Sequence, residues 1–218
     1  MLALFNRGTA ETGVDLALPL EAARYVVMDT ELTGLDARKD SIVSVGAVGM
    51  QGGRIMLGET FYEMVSPGTA MRSESVVVHG ITPSDVADKP AIDIVIEDLL
   101  AFCDGAVVVG HFLSLDLGFL NKEMKRLHNT KFPPPVADTL QIHEWMQDHS
   151  RGSRGQYDAC EENKDLFSLA NKYQIPVSTA HNALMDAFIT AQLFQRFLSL
   201  LPGLGVRTVK ELLRIAKP

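Results

Sequence analysis

The residue pattern predicts an α/β fold, a mixed sheet with helices on both faces. Two changes of period carry that expectation. Between residues 25 and 65 short β-prone runs follow one another across a glycine turn. Beyond Pro90, apolar residues recur at helical spacing around one further buried run.

Residues 1–23 hold no sustained period and include Gly8, Gly13 and Pro19, so they read as a loosely attached N-terminal lead-in. Tyr25-Val26-Val27-Met28 begins the sheet. Residues 41–50, with Ile42, Val43, Val45 and Val48, give a second strand, and Gln51-Gly52-Gly53 turns it into a third over residues 54–65. Ile92, Val95, Ile96, Leu99, Leu100 and Cys103 then fall on one helical stripe. A buried strand is expected at 106–109, followed by a helix at 115–128 that stops before Pro133-Pro134-Pro135. A further helix covers about 139–147. Residues 148–164 are polar and aperiodic, which predicts a mobile surface loop. Asp165 can cap a helix over 166–173. A long helix is expected from about 182 to 201, ended by Pro202-Gly203 and Gly205. The chain thus divides into the lead-in, one domain at 24–201, and a short C-terminal helical tail at 202–218.

At 218 residues, 46% hydrophobic and 22% charged, the sequence has the balance of an ordinary globular protein with a sizeable core. It has no apolar run of membrane-spanning length, so no membrane is expected among its partners. The apolar opening Met1–Phe5 is cut off by Asn6 and Arg7, too soon for a secretory signal. A cytoplasmic location is the expectation. Cys103 and Cys160 read as ordinary thiols rather than a disulfide framework or thiolate metal site. The net charge of −7 argues at first against a polyanionic substrate. Four carboxylates gathered around cations would remove more than half of that charge from the repulsive count.

Candidates for such a cluster exist. Asp29 and Glu31 are two residues apart at the end of the first strand, a spacing that turns both carboxylates to one face. Alone, the pair has the bland reading of a solvated strand edge. Asp116 opens the helix after the buried strand, where an acid also simply complements a helix N-terminus. Asp186 falls in the second turn of the long helix beside Leu184, Ala187 and Phe188; an exposed helix acid is its ordinary reading. His181 and Asp186 would lie about 140° apart on a continuous helix, which places His181 on the preceding loop. A histidine there can serve as a general base, and a surface histidine is the alternative. Convergent carboxylates repel by about 4 kcal/mol per pair at 4 Å and an effective dielectric of 20, so they require cations. All-oxygen ligands favour Mg²⁺ or Mn²⁺ over zinc.

In this order the residues resemble the DnaQ-like, or DEDDh, family of 3′-to-5′ exonucleases. The matching segments are Asp29-Thr30-Glu31-Leu32-Thr33-Gly34-Leu35, His79-Gly80-Ile81-Thr82, residues 111–116 and His181-Asn182-Ala183-Leu184-Met185-Asp186. The resemblance spans roughly residues 24–200 and implies a ribonuclease H-like fold. It implies that Asp29, Glu31, Asp116 and Asp186 hold two divalent cations, Mg²⁺ or Mn²⁺, with Glu31 and His181 catalytic and His181 the general base. Thr30, Thr33, Gly34, Leu35 and His79 are then expected to line the site of the terminal nucleotide. His181 separates the chain from a sister group with tyrosine in that role. Leu32 and Phe112 depart from the family's usual threonine and asparagine.

The leading expectation is release of nucleoside 5′-monophosphates from single-stranded DNA ends. An RNA-directed exonuclease and a non-catalytic module are the alternatives. The 202–218 tail could contact a polymerase or another replication partner, although such helices often pack on their own domain.

Overall fold

The computed structural model describes residues 13–151, 163–177 and 181–218. Its five strands are β1 (Arg24–Leu32), β2 (Ile42–Gln51), β3 (Arg54–Met64), β4 (Val107–Gly110) and β5 (Val136–Asp138), in the order β3-β2-β1-β4-β5. The first three form an antiparallel meander, and β4 and β5 run parallel to β1. Among the described residues the α-helices are α1 (Ser73–His79), α2 (Pro83–Val86), α3 (Ile92–Phe102), α4 (Ser114–His128), α5 (Thr139–Arg151), α6 (Leu166–Lys172), α7 (Ala183–Leu200) and α8 (Val209–Ile215). Among the described residues no helix is long and apolar enough to cross a membrane.

β1 is central and therefore buried on both faces. Tyr25 and Val27 enter a core built with Ile142 of α5, Leu169 of α6, Phe194 of α7 and Leu212 of α8. Val26 and Met28 enter the opposite core with Ile96 and Leu99 of α3 and Phe119 and Leu120 of α4. Strand alternation carries this division onward: Asp29 and Glu31 continue the α7 side, and Thr30 continues the α4 side. Tyr25 meets Phe194 edge to face at 5.0 Å and donates its hydroxyl to the Leu20 carbonyl at 3.0 Å. Fully burying a large apolar side chain of this kind contributes about 1.5–3 kcal/mol. The α7 contact is therefore a main support of the sheet as well as the carrier of Asp186.

The elements with strong periods lie where expected. Asp165 caps α6 by accepting from Ser168 N–H at 2.8 Å, and Gly52, at φ 52°, makes the hairpin between β2 and β3. Three features differ from expectation. β5 has three residues and follows three prolines, too little for a period, yet it pairs with β4 and ends in buried Asp138. α1 and α2 lie in the stretch from 66 to 90, to which the sequence reading assigns no element. Residues 148–151 continue α5, and the remainder of the expected loop, 152–162, lies outside the described residues.

The two ends of the described fold pack on each other. Val209 N–H donates to the Leu18 carbonyl and Lys210 N–H to that of Leu16, while Asp138 N–H donates to Ala216. Leu20, Ala23, Val206, Val209, Leu212 and Ala216 are buried in the α7-side core. In the described part of the lead-in, then, burial replaces the loose attachment expected from its lack of period. Glu211 and Thr208 form a reciprocal cap at the start of α8.

Candidate active site

Three backbone devices bring the acids together. β1 supplies Asp29 and Glu31 on its α7 face, where strand pairing with β2 fixes both; Asp29 stands opposite Gly46 and Glu31 opposite Ser44. α7 supplies Asp186 from its first turn, one turn earlier than the sequence suggested, because the helix begins at Ala183. Asn182 caps that helix, accepting from Leu184 and Met185 N–H, and donates its amide to the Tyr62 hydroxyl on β3 at 3.1 Å. α4 supplies Asp116 from the opposite face of the sheet. Thr30, whose side chain lies on that face, donates its hydroxyl to Asp116 at 2.5 Å.

α7 can lie this close because residue 46 has no side chain. A β-carbon at Gly46 would stand 2.2 Å from the Ala183 carbonyl carbon and the Leu184 nitrogen. The strand glycine thus sets the depth at which the first turn of α7, and with it Asp186, meets β1. An isolated glycine inside a strand pattern is a signal of close backbone approach. It had not been drawn from this sequence, and neither had the positioning roles of Asn182 and Asp138.

One oxygen each from Asp29, Glu31 and Asp186 lies within 4.8 Å of the other two. Asp116 stands just outside that group, close enough for its charge to act on both Asp29 and Glu31. Burial is the largest influence on all four acids. It holds Asp29 well above the usual carboxylate range, with repulsion from Asp116, Glu31 and Asp186 adding to it. Glu31 is pushed up to about 7 by burial and then by Asp186 and Asp116. Asp116 also reaches about 7, although the Thr30 hydrogen bond works in the other direction. Asp186 rises to about 6, opposed by nearby His181. Glu31 Oε1 and Asp186 Oδ1 are buried and accept no hydrogen bond. An all-carboxylate donor set, mutually repulsive and with unused buried oxygens, fits a hard divalent cation.

His181 lies on the turn before α7, as its spacing implied, and is exposed. Its ring meets Phe167 edge to face at 5.3 Å. His111 is buried, with Nδ1 paired to the Thr139 hydroxyl and Nε2 to the Lys164 carbonyl, both at 2.9 Å; these bonds make it a structural residue.

The residues expected around the nucleotide divide into two kinds. Leu35 is 76% exposed, an unusual position for leucine. Gly34 is pressed against Asp40, since a β-carbon there would come within 2.5 Å of its carboxylate. Thr33 is fully buried, and its hydroxyl pairs with that of Thr69 and accepts from Ser41 N–H. The Thr33 side chain therefore braces the 33–41 loop, and the Thr30 hydroxyl is likewise engaged by Asp116. His79 ends α1 and accepts from Ile81 N–H at 3.0 Å, and its ring also faces the Leu32 backbone. Burial holds its pKa below the ordinary histidine value.

A mixed five-stranded sheet whose central strand and a flanking helix gather three acids, with a fourth within reach of their charge, defines a class: an α/β enzyme with a donor set suited to divalent cations. Comparison with known proteins narrows it. Residues 26–194 match the exonuclease family RNase_T. The chain belongs to that family, in its DnaQ-like 3′-to-5′ branch. It is 35% identical over 191 residues to a DNA polymerase III subunit epsilon-like protein of Rhodobacter capsulatus, covering 87% of this chain and 26% of that protein. With the DNA polymerase III subunit epsilon of Aquifex aeolicus it shares 30% identity over 174 residues, 80% of either chain. The chain therefore spans about a quarter of the first relative and most of the second. Among solved structures, E. coli Exonuclease I in complex with a dT13 oligonucleotide has the same ribonuclease H-like fold. The TM-score is 0.67 at 15% identity, covering 84% of this chain and 44% of that one.

Proposed function

We propose that the chain removes nucleoside 5′-monophosphates from the 3′ end of single-stranded DNA, with Asp29, Glu31, Asp116 and Asp186 holding two Mg²⁺ or Mn²⁺ ions. The observation that supports this reading is the convergence of Asp29, Glu31 and Asp186, with Asp116 near enough to act on the first two by charge and with Glu31 Oε1 and Asp186 Oδ1 buried and unpaired. Bound cations of this kind supply charge stabilisation for the attacking and leaving oxygens of a phosphodiester.

The chain's own residues do the rest. His181, exposed and on a turn, accepts the proton of the attacking water. Thr30 fixes the carboxylate of Asp116 through its hydroxyl, as outer partners of metal ligands do. Gly34, Leu35 and His79 are assigned to the wall of the terminal nucleotide, with exposed Leu35 supplying apolar contact. Thr33 acts on that wall through the loop it braces.

The choice of DNA draws support from the polymerase-subunit relatives and from the oligonucleotide held by Exonuclease I. A polymerase contact through residues 202–218 has less support, because Val206, Val209, Leu212 and Ala216 are used in the chain's own core. The test is an end-labelled DNA strand and an RNA strand of equal sequence, each with Mg²⁺, Mn²⁺ or EDTA. Stepwise shortening of the DNA from its 3′ end, abolished by EDTA, is the expected result. Preference for the RNA strand would reassign the substrate, and cleavage that survives EDTA would overturn the cation assignment.

A further inference from the structure

Phe112 combines two properties that rarely occur together. It is a bulky residue at φ 53°, in the left-handed region that favours glycine or asparagine, and it is 45% exposed. No core burial therefore offsets the backbone strain. The turn is held in place from below. The buried Asp138 carboxylate accepts from Leu113 N–H at 2.9 Å and Leu140 N–H at 2.8 Å, and Phe112 N–H also faces it. The Phe112 carbonyl accepts from Leu115 N–H at 3.0 Å and so begins the turn of α4 that carries Asp116. One edge of the ring is set by buried His111, edge to face at 5.0 Å. His111 in turn bonds Lys164, three residues before the Phe167 that packs on His181. Phe112 thus sits four residues before Asp116, at the start of α4, and its neighbour His111 ties it to the segment that leads to Phe167.

We propose that Phe112 is a stacking platform for an unpaired nucleobase within the last three nucleotides of the substrate strand. The inference rests on the exonuclease reading above. An exposed aromatic residue on a turn that opens the helix carrying Asp116 can meet a base through its π-face without reading its edge. The platform is accordingly indifferent to base identity, and it acts on binding rather than on the chemical step.

The test is a cycle between ring and base. Steady-state rates with Mg²⁺ are measured for the wild-type chain, Phe112→Ala, Phe112→Asn and Phe112→Trp. The substrates are a thymidine 12-mer and the same strand lacking a base at each of its last three positions. Phe112→Ala is expected to raise KM about tenfold on the intact strand with kcat nearly unchanged. Phe112→Trp should retain the wild-type KM. Removing the base at one of the three positions should cost the wild-type chain the same factor, and Phe112→Ala no further factor. Phe112→Asn suits the left-handed turn, so its Tm should hold or rise while its KM follows that of Phe112→Ala. Equal losses on the intact strand and on every abasic strand, or a wild-type KM in Phe112→Asn, would overturn the platform. The same cycle read by fluorescence anisotropy with Ca²⁺ separates the two readings. A chain that binds with this coupling and never cuts refutes the exonuclease reading alone.

Discussion

The floor and the rim of the site are built by opposite means. On the floor, Asp29, Glu31, Asp116 and Asp186 are placed by paired strands and by two helices that approach from opposite faces of the sheet. On the rim, His181 and Leu35 are exposed and lie on connecting segments. Burial raises the proton affinity of every acid on the floor. Under the proposed function the contrast separates the work of the parts: the repulsion on the floor is what cations would relieve, and strand and proton are assigned to the rim.

The comparison is broken most severely at Asp186. Asp186→Ala is expected to abolish turnover, by at least about 10⁴-fold, and to weaken Mn²⁺ binding in calorimetry; loss of turnover with an unchanged Mn²⁺ titration would move Asp186 off the floor. His181→Ala should lower single-turnover rates about 10²–10⁴-fold while leaving Mn²⁺ binding nearly intact. Near-full turnover in that variant would make His181 structural. Thr30→Val removes the hydroxyl that steadies Asp116, and about 10- to 100-fold weaker cation affinity is expected. Unchanged affinity would mean that Asp116 needs no such partner.

The smallest effect is in stability. Glu31, at about 7, and Asp186, at about 6, keep their protons in the folded chain to higher pH than in the unfolded one. With native protons in excess, stability falls as pH rises. In EDTA the Tm should therefore decrease by several degrees from pH 5 to pH 8, and Mn²⁺ should raise it more at pH 8 than at pH 5. A Tm in EDTA that climbs across this range would contradict the repulsive floor.

What the sequence disclosed follows the same line. The strand and helix periods placed the acids near one another, and the choice of these four with His181 came from the resemblance of their order to the DnaQ-like family. The partners that hold them were harder to see. The Thr30–Asp116 contact spans 86 residues and depends on which face α4 covers. Thr33 stands among residues expected to meet substrate, and only packing shows its hydroxyl turned inward to Thr69 and Ser41. β5 is three residues long, below the length at which alternation can be read. The tail's use in the core was hidden because α8 gains its partners from Leu16, Leu18 and Asp138, all remote in sequence.

Gly46 carries one more consequence. With a clearance of 2.2 Å at the missing β-carbon, β2 and the first turn of α7 cannot shift together or apart without moving the acids as well. The floor therefore has a single working depth, so that under the proposed function adjustment to successive nucleotides would fall to the rim. Heat inactivation should accordingly coincide with melting of the sheet instead of preceding it.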